Sequence, residues 1–147
     1  MADIVIRNAT VEDSGPIAGL TTELGYPTST SQMRQRLEAI VGDDDYATFV
    51  ACDDAEIVGF IGTRIGRLYE VDESYGQIMV LSVAGGHQRR GIGWMLLRAA
   101  EESLVERGAG ILIVTTANHR ADAHAFYEQC GYTFTGRRYR KSASVSG

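Results

Sequence analysis

The segment QIMVLSVAGGHQRRGIGWMLLRAAEESLVERG, residues 77–108, decides the fold. Its first seven residues are an apolar run of strand length, read as a strand buried on both faces. Residues 93–108 carry Met95, Leu96, Ala99, Ala100 and Leu104 at helical spacing, and Gly108 stops the helix. Between them GGHQRRGIGW, residues 85–94, gathers four glycines, a histidine and two arginines. The first turn of a helix leaves amide N–H groups unpaired and carries the positive end of the macrodipole, so it suits an anion. Gly91 and Gly93 lack a Cβ and let a phosphate approach the backbone. On these residues alone, a phosphate cradle and a solvated basic turn stand as equal alternatives.

Two phosphate motifs are excluded by particular residues. A dinucleotide fingerprint needs G-x-G-x-x-G after a first strand, but Leu96 stands at the third glycine position and the unit lies mid-chain. A P-loop needs Lys-Ser or Lys-Thr after its last glycine, and the region has neither.

Working outward, DIVIRN (3–8) reads as a strand, and Thr10 with Asp13 resembles a capping box. Pro16 is tolerated only in a first helical turn, so a helix is expected from about Asp13 to Leu24, stopped by Gly25. Ser29 and Gln32 cap a second helix with Met33, Leu37, Ile40 and Val41 on one face. TFVACD (48–53) and EIVGFIGTRIG (56–66) flank a tight turn as a hairpin. RLYEVDESYG (67–76) reads as a loop. ILIVTTA (111–117) is a further buried strand, ADAHAFYEQC (121–130) a short helix stopped by Gly131, YTFTGRRYRK (132–141) a last strand and SASVSG (142–147) a flexible tail. A mixed sheet in one α/β domain follows.

The 147 residues suit a single core, and the net charge of −5 argues against bulk nucleic-acid binding. Cys52 and Cys130 share no metal spacing and read as reduced thiols, and no metal is assigned. MADIVIRNAT lacks the basic start and apolar run of a signal peptide, and no run reaches the ~18 residues of a membrane span, so a cytoplasmic protein off the membrane is expected.

Several pieces together resemble the GCN5-related N-acetyltransferase superfamily. Gln88, Gly91 and Gly93 match its Q-x-x-G-x-G signature; Asn118, Ala125-Phe126-Tyr127 and Gly131-Tyr132 match its second signature. Arg7, Ala9, Thr10 and Asp13 are typical of its first strand and helix, and Val58-Gly59-Phe60 of its third strand. The segment TTANHRADAHAFYEQCGYTFTGRRYRK further resembles aminoalkylphosphonate N-acetyltransferase-like members. The resemblance implies an α/β fold of the α+β type over residues 1–141: a mostly antiparallel sheet of six to seven strands, about four helices, and strands 4 and 5 splayed after a bulge.

It also implies the site. Acetyl-CoA would pair with Leu81, Ser82 and Val83, its pyrophosphate on the amides of Arg89, Arg90, Gly91, Ile92, Gly93 and Trp94, with Gln88, Asn118 and Tyr127 completing the contacts. Tyr127 would donate to the leaving thiolate, and the Val83 amide at the bulge would face the developing oxyanion. Relatives carry a glutamate where Val80 stands, so the candidates for base or amine attraction are Glu70, Asp72 and Glu73 of the preceding loop, Glu23, or a water chain reaching His119 or His124, with Glu23, Tyr26, Tyr69 and Tyr75 around the acceptor. The expected function is acetyl transfer to a primary amine of a small molecule, in a homodimer. The alternatives are a non-catalytic acyl-CoA-binding module and an acetyltransferase acting on protein N-termini or lysines.

Overall fold

In a computed structural model the described residues are 3–115, 121–136 and 138–143. They form two compact units, one through Ile113 and one from Val114. The first unit opens with β1 (Ile4–Asn8), then α1 (Ser14–Glu23) and α2 (Thr30–Val41). The strands β2 (Tyr46–Asp53), β3 (Glu56–Arg67) and β4 (Ser74–Val83) follow, then α3 (Ile92–Glu106) and β5 (Ala109–Val114). The sheet order is β1-β2-β3-β4-β5, antiparallel through β4, with β5 parallel to β4. The second unit carries α4 (Ala121–Gln129).

The capping residues read from the sequence act at the helix starts. The Ser29 hydroxyl accepts from the Gln32 N–H at 3.1 Å, and the Gln32 side chain accepts from the Ser29 N–H at 2.9 Å. Before α1, Asp13 accepts the Thr10 N–H at 2.8 Å and a two-pronged Arg7 guanidinium at 2.9 Å per bond. Gly25 ends α1 at φ +116°, with the Tyr26 N–H reaching the Thr21 carbonyl, a conformation that glycine adopts without a Cβ clash.

Asp13 is buried and paired, so its carboxyl is held below the usual range, first by the Arg7 hydrogen bonds, against the opposing effect of burial. A depressed folded pKa means stability that is present above the ordinary carboxylate value and lost as pH falls through the folded one. Asp13→Asn is therefore expected to cost about 2–3 kcal/mol at neutral pH, because Arg7 loses its charged partner. In denaturant titrations the gap between parent and variant should shrink below about pH 4. A gap that stays constant down to pH 2 would rule the ion pair out as its cause.

Two helical layers enclose the sheet. On one face Val50, Cys52 and Phe60 pack with Ile17, Leu20, Met33 and Leu37 of α1 and α2. On the other, a Cβ built on Gly59 would lie 3.1 Å from Leu96, and one on Gly76 2.8 Å from Leu104, so α3 sits almost on the backbone of β3 and β4. Leu96 and Leu104 are fully buried there, each stabilising the fold by about 2 kcal/mol.

The structure departs from the sequence reading in three places. β4 begins at Ser74 instead of 77, since Ser74, Tyr75 and Gly76 find ladder partners in Arg67, Gly66 and Ile65. Neither β4 nor β5 is buried on both faces: Met79 is 44% exposed and Ile111 to Val114 are half-buried. Residues 132–136 and 138–143 carry no strand, so the described residues hold five strands instead of six or seven. An aromatic and basic alternation becomes a strand only where an edge pairs with it.

Candidate active site

β4 is interrupted once. Val80 pairs with Gly62 and Ile78 with Thr63, which leaves Met79 as an extra residue. The bulge therefore sits at Met79, four residues before Val83, where the resemblance had placed the oxyanion amide. Beyond it the Ala84 N–H bonds the Val58 carbonyl, toward β3. Successive strand residues alternate their backbone groups from side to side. Ser82 then also addresses β3, while Leu81 and Val83 present N–H and C=O to the opposite edge. The Ser82 hydroxyl confirms its inward placement by donating to the Leu20 carbonyl at 3.3 Å.

β5 lies on that opposite edge but covers only its beginning. A Cβ on Gly110 would lie 2.8 Å from the Glu73 side chain, so β5 starts level with the start of β4. At about 3.3 Å per residue its six residues run out near the bulge. Leu81 to Val83 continue past it, and among the described residues no strand covers that stretch of edge, which suits a ligand's amides by strand addition.

The open edge runs directly into the glycine turn. Gly91 is the N-cap of α3 at φ +76° with no side-chain cap, and the first helical bond is from the Met95 N–H to the Gly91 carbonyl. The amides of Gly91, Ile92, Gly93 and Trp94 thus have no intrahelical acceptor, and no acidic side chain lies in the first turn. A Cβ on Gly91 or Gly86 would meet nothing within 4 Å. Unpaired amides at the positive end of a fifteen-residue helix, with room beside Gly91 among the described residues, suit a pyrophosphate.

The side chains around the turn hold it in place. Arg90 donates to Asp53 at 2.9 Å and contacts His87 Nδ1 at 2.7 Å. Glu23 accepts the Gly85 N–H at 2.7 Å and ties the end of α1 to the loop after β4. Arg89 stands at φ +67°, a left-handed conformation that costs a non-glycine residue about 1 kcal/mol. Trp94 is exposed, with the Arg98 guanidinium 5.0 Å from its ring centroid. Asp53, at the end of β2, was not singled out in the sequence; nothing in its local pattern marks it as the anchor of Arg90.

Glu70 and Glu73 lie away from this edge. Glu73 packs on Gly110 at the start of β4, about 30 Å of strand from Val83, with Glu70 further back in the preceding loop. Tyr69 is fully exposed and Tyr26 mostly so. Tyr75 is half-buried and receives a hydrogen bond from Arg64 at 3.0 Å. Asn118 and His119 lie outside the described residues. Tyr127 belongs to α4, its ring edge-on to Phe126 at 5.3 Å and to Tyr132 at 5.9 Å. Gly131 closes that helix at φ +96°: its N–H reaches the Glu128 carbonyl and the Tyr132 N–H reaches that of Tyr127. Among the described residues no group of His, Cys, Asp and Glu converges as metal ligands, and no helix is long and apolar enough to cross a membrane.

Residues 17–132 match the model of the acetyltransferase (GNAT) family, and the chain belongs to that family. It is 30% identical to an aminoalkylphosphonate N-acetyltransferase of Salmonella typhimurium over 138 residues, 93% of this chain and 90% of that protein. It is 36% identical over 95 residues, 64% of its length, to a streptothricin acetyltransferase of Streptomyces lavendulae, of which it spans 48%. In fold it is similar to an aminoglycoside N-acetyltransferase solved in complex with CoA, at TM-score 0.85, 20% identity and 96% coverage of each chain.

Proposed function

We propose that the protein transfers an acetyl group from acetyl-CoA to a primary amine of a small molecule, by direct attack while both are bound. The observation that carries this reading is the continuity of the open Leu81–Val83 edge with the uncapped amides of Gly91 to Trp94. The edge supports the pantetheine arm and the amides support the pyrophosphate. The oxyanion that develops on the thioester carbonyl needs an N–H on the same edge. Leu81, just past the bulge, is better placed for this than Val83. Tyr127 is retained as donor to the sulfur on its signature match.

An alkyl amine with a pKa near ~10.4 arrives protonated, and attack requires its lone pair. Val80 stands in β4 where relatives carry glutamate, and its side chain packs against the core under α1. Glu70 and Glu73 are too far along the strand to serve that point, and Glu23 is engaged with Gly85. The free amine fraction then limits the rate. With a panel of aminoalkylphosphonates, aminoglycosides, polyamines, amino acids and peptide N-termini, thiol release is expected with at least one small-molecule class. Its kcat/KM should rise about tenfold per pH unit between pH 6 and 9. A plateau below pH 8 would reveal a protein base. Acetyl-CoA binding without turnover on any amine would reverse the reading in favour of a non-catalytic acyl-CoA module.

A further inference from the structure

On the face of the sheet that carries α1, Arg64 of β3 is half-buried and stands directly across from Gln77 of β4. Its guanidinium donates to the Tyr75 hydroxyl at 3.0 Å. Among the described residues no carboxylate pairs with it, in a chain that carries nineteen Asp and Glu against fourteen Lys and Arg. A guanidinium is a five-donor fork, and a phenol satisfies one prong. A half-buried cation left with donors to spare calls for an anionic oxygen group.

Its place in the sheet adds the second half of the argument. Thr63 pairs with Ile78, next to the bulge at Met79, so Arg64 sits one step from the bulge on β3. The bulge resets the alternation of β4, and Tyr75, Gln77, Val80 and Ser82 come to share this face. Gly66 stands opposite Tyr75: a Cβ there would lie 2.7 Å from the tyrosine ring, so the phenol takes the space that any other residue would fill. The Tyr75 hydroxyl is thereby fixed beside Arg64, and two polar groups converge on one point of the sheet.

We propose that Arg64, oriented by Tyr75, binds an anionic group of the acceptor, so that the substrate is a zwitterionic amine bearing a phosphonate or carboxylate a few bonds from its nitrogen. This rests on the acetyltransferase reading and narrows it. A guanidinium fork pairs with two oxygens of such a group at once, and it repels a polycation of the aminoglycoside or polyamine kind.

The test compares amines matched in length with and without the anion, 2-aminoethylphosphonate and β-alanine against ethanolamine and propylamine, on the parent protein and on Arg64→Gln and Arg64→Lys. Turnover is read by thiol release, and acceptor binding by calorimetry with CoA present. The parent is expected to favour an anionic amine at least tenfold in kcat/KM. Arg64→Gln should remove that preference through a 10- to 100-fold rise in KM, with acetyl-CoA affinity and Tm unchanged. Arg64→Lys should restore part of it, since an ammonium keeps the charge but not the fork. Equal use of neutral and anionic amines by the parent, or a preference that survives Arg64→Gln, would overturn the proposal and leave the transferase reading intact. Anion-dependent binding that Arg64→Gln abolishes, with no turnover on any amine, would sustain Arg64 as the anchor and overturn the transferase reading instead.

Discussion

Gly91→Val is expected to weaken acetyl-CoA binding by about 30- to 100-fold while the fold survives. The backbone at residue 91 sits at φ +76°. A β-branched side chain there costs roughly 1–2 kcal/mol, because its Cβ crowds the neighbouring carbonyl. That cost can be relieved only by turning the peptide away, which rotates the first amides of α3 out of convergence. The new methyl groups would also enter the open space above those amides, where the structure offers no other atom within 4 Å of a Cβ. Strain and obstruction therefore act together on the ligand and leave the core almost untouched. A drop of about 5 °C in Tm is expected from the strain alone. Gly91→Ala, without the branch, should fall between the two proteins. Unaltered affinity of Gly91→Val by calorimetry would remove the amide cradle from the site.

The second large effect is expected at Tyr127. Tyr127→Phe keeps the edge-on ring contacts with Phe126 and Tyr132, so stability should change by less than about 1 kcal/mol. It deletes the one hydroxyl assigned to the departing sulfur. A thiol has a pKa near ~8.5 and a phenol near ~10, so full proton transfer to a free thiolate runs uphill. On the proposed mechanism the hydroxyl would instead hydrogen-bond to sulfur as charge builds during cleavage, a contribution of about 10²-fold in rate. Because the bond strengthens only as the C–S bond breaks, kcat should fall by that factor with the KM for acetyl-CoA unchanged within about twofold. Equal falls in kcat and acetyl-CoA affinity would make Tyr127 a binding contact, and an unchanged kcat would dismiss it.

The parts that were legible in the sequence are those governed by neighbours in the chain. Ser29 with Gln32, Gly25 and Gly131 marked helix ends, and each acts there in the structure. The hairpin of β2 and β3 was legible because its partners are close in sequence. The run QIMVLSV misled because it contains two alternations joined out of phase. Gln77 shares a face with Val80 and Ser82 only because Met79 intervenes, and the sum looks apolar throughout. No local signal announces such a shift, since the bulge is defined by what β3 does opposite. Glu70 and Glu73 were attractive as acids near a predicted strand, but their distance from the open edge depends on where the ladder begins. The anchors Asp53–Arg90 and Glu23–Gly85 join residues 37 and 62 positions apart, contacts that a reading of spacing does not reach. Arg64 was passed over because an arginine in a strand reads as a solvated edge until its bond to Tyr75 is seen.

The extra residue at Met79 has one more consequence, for how the strand tolerates change in length. Without residue 79 the order Gln77, Ile78, Val80, Leu81, Ser82 would still alternate faces without a break. Removing it would thus preserve every inside and outside assignment and only straighten the ribbon, letting β5 pair further along and closing the gap between the two strands. A deletion further along β4 would instead exchange the faces of the residues between it and the bulge. At the bulge, chain length alone would therefore decide how far β5 can pair along β4.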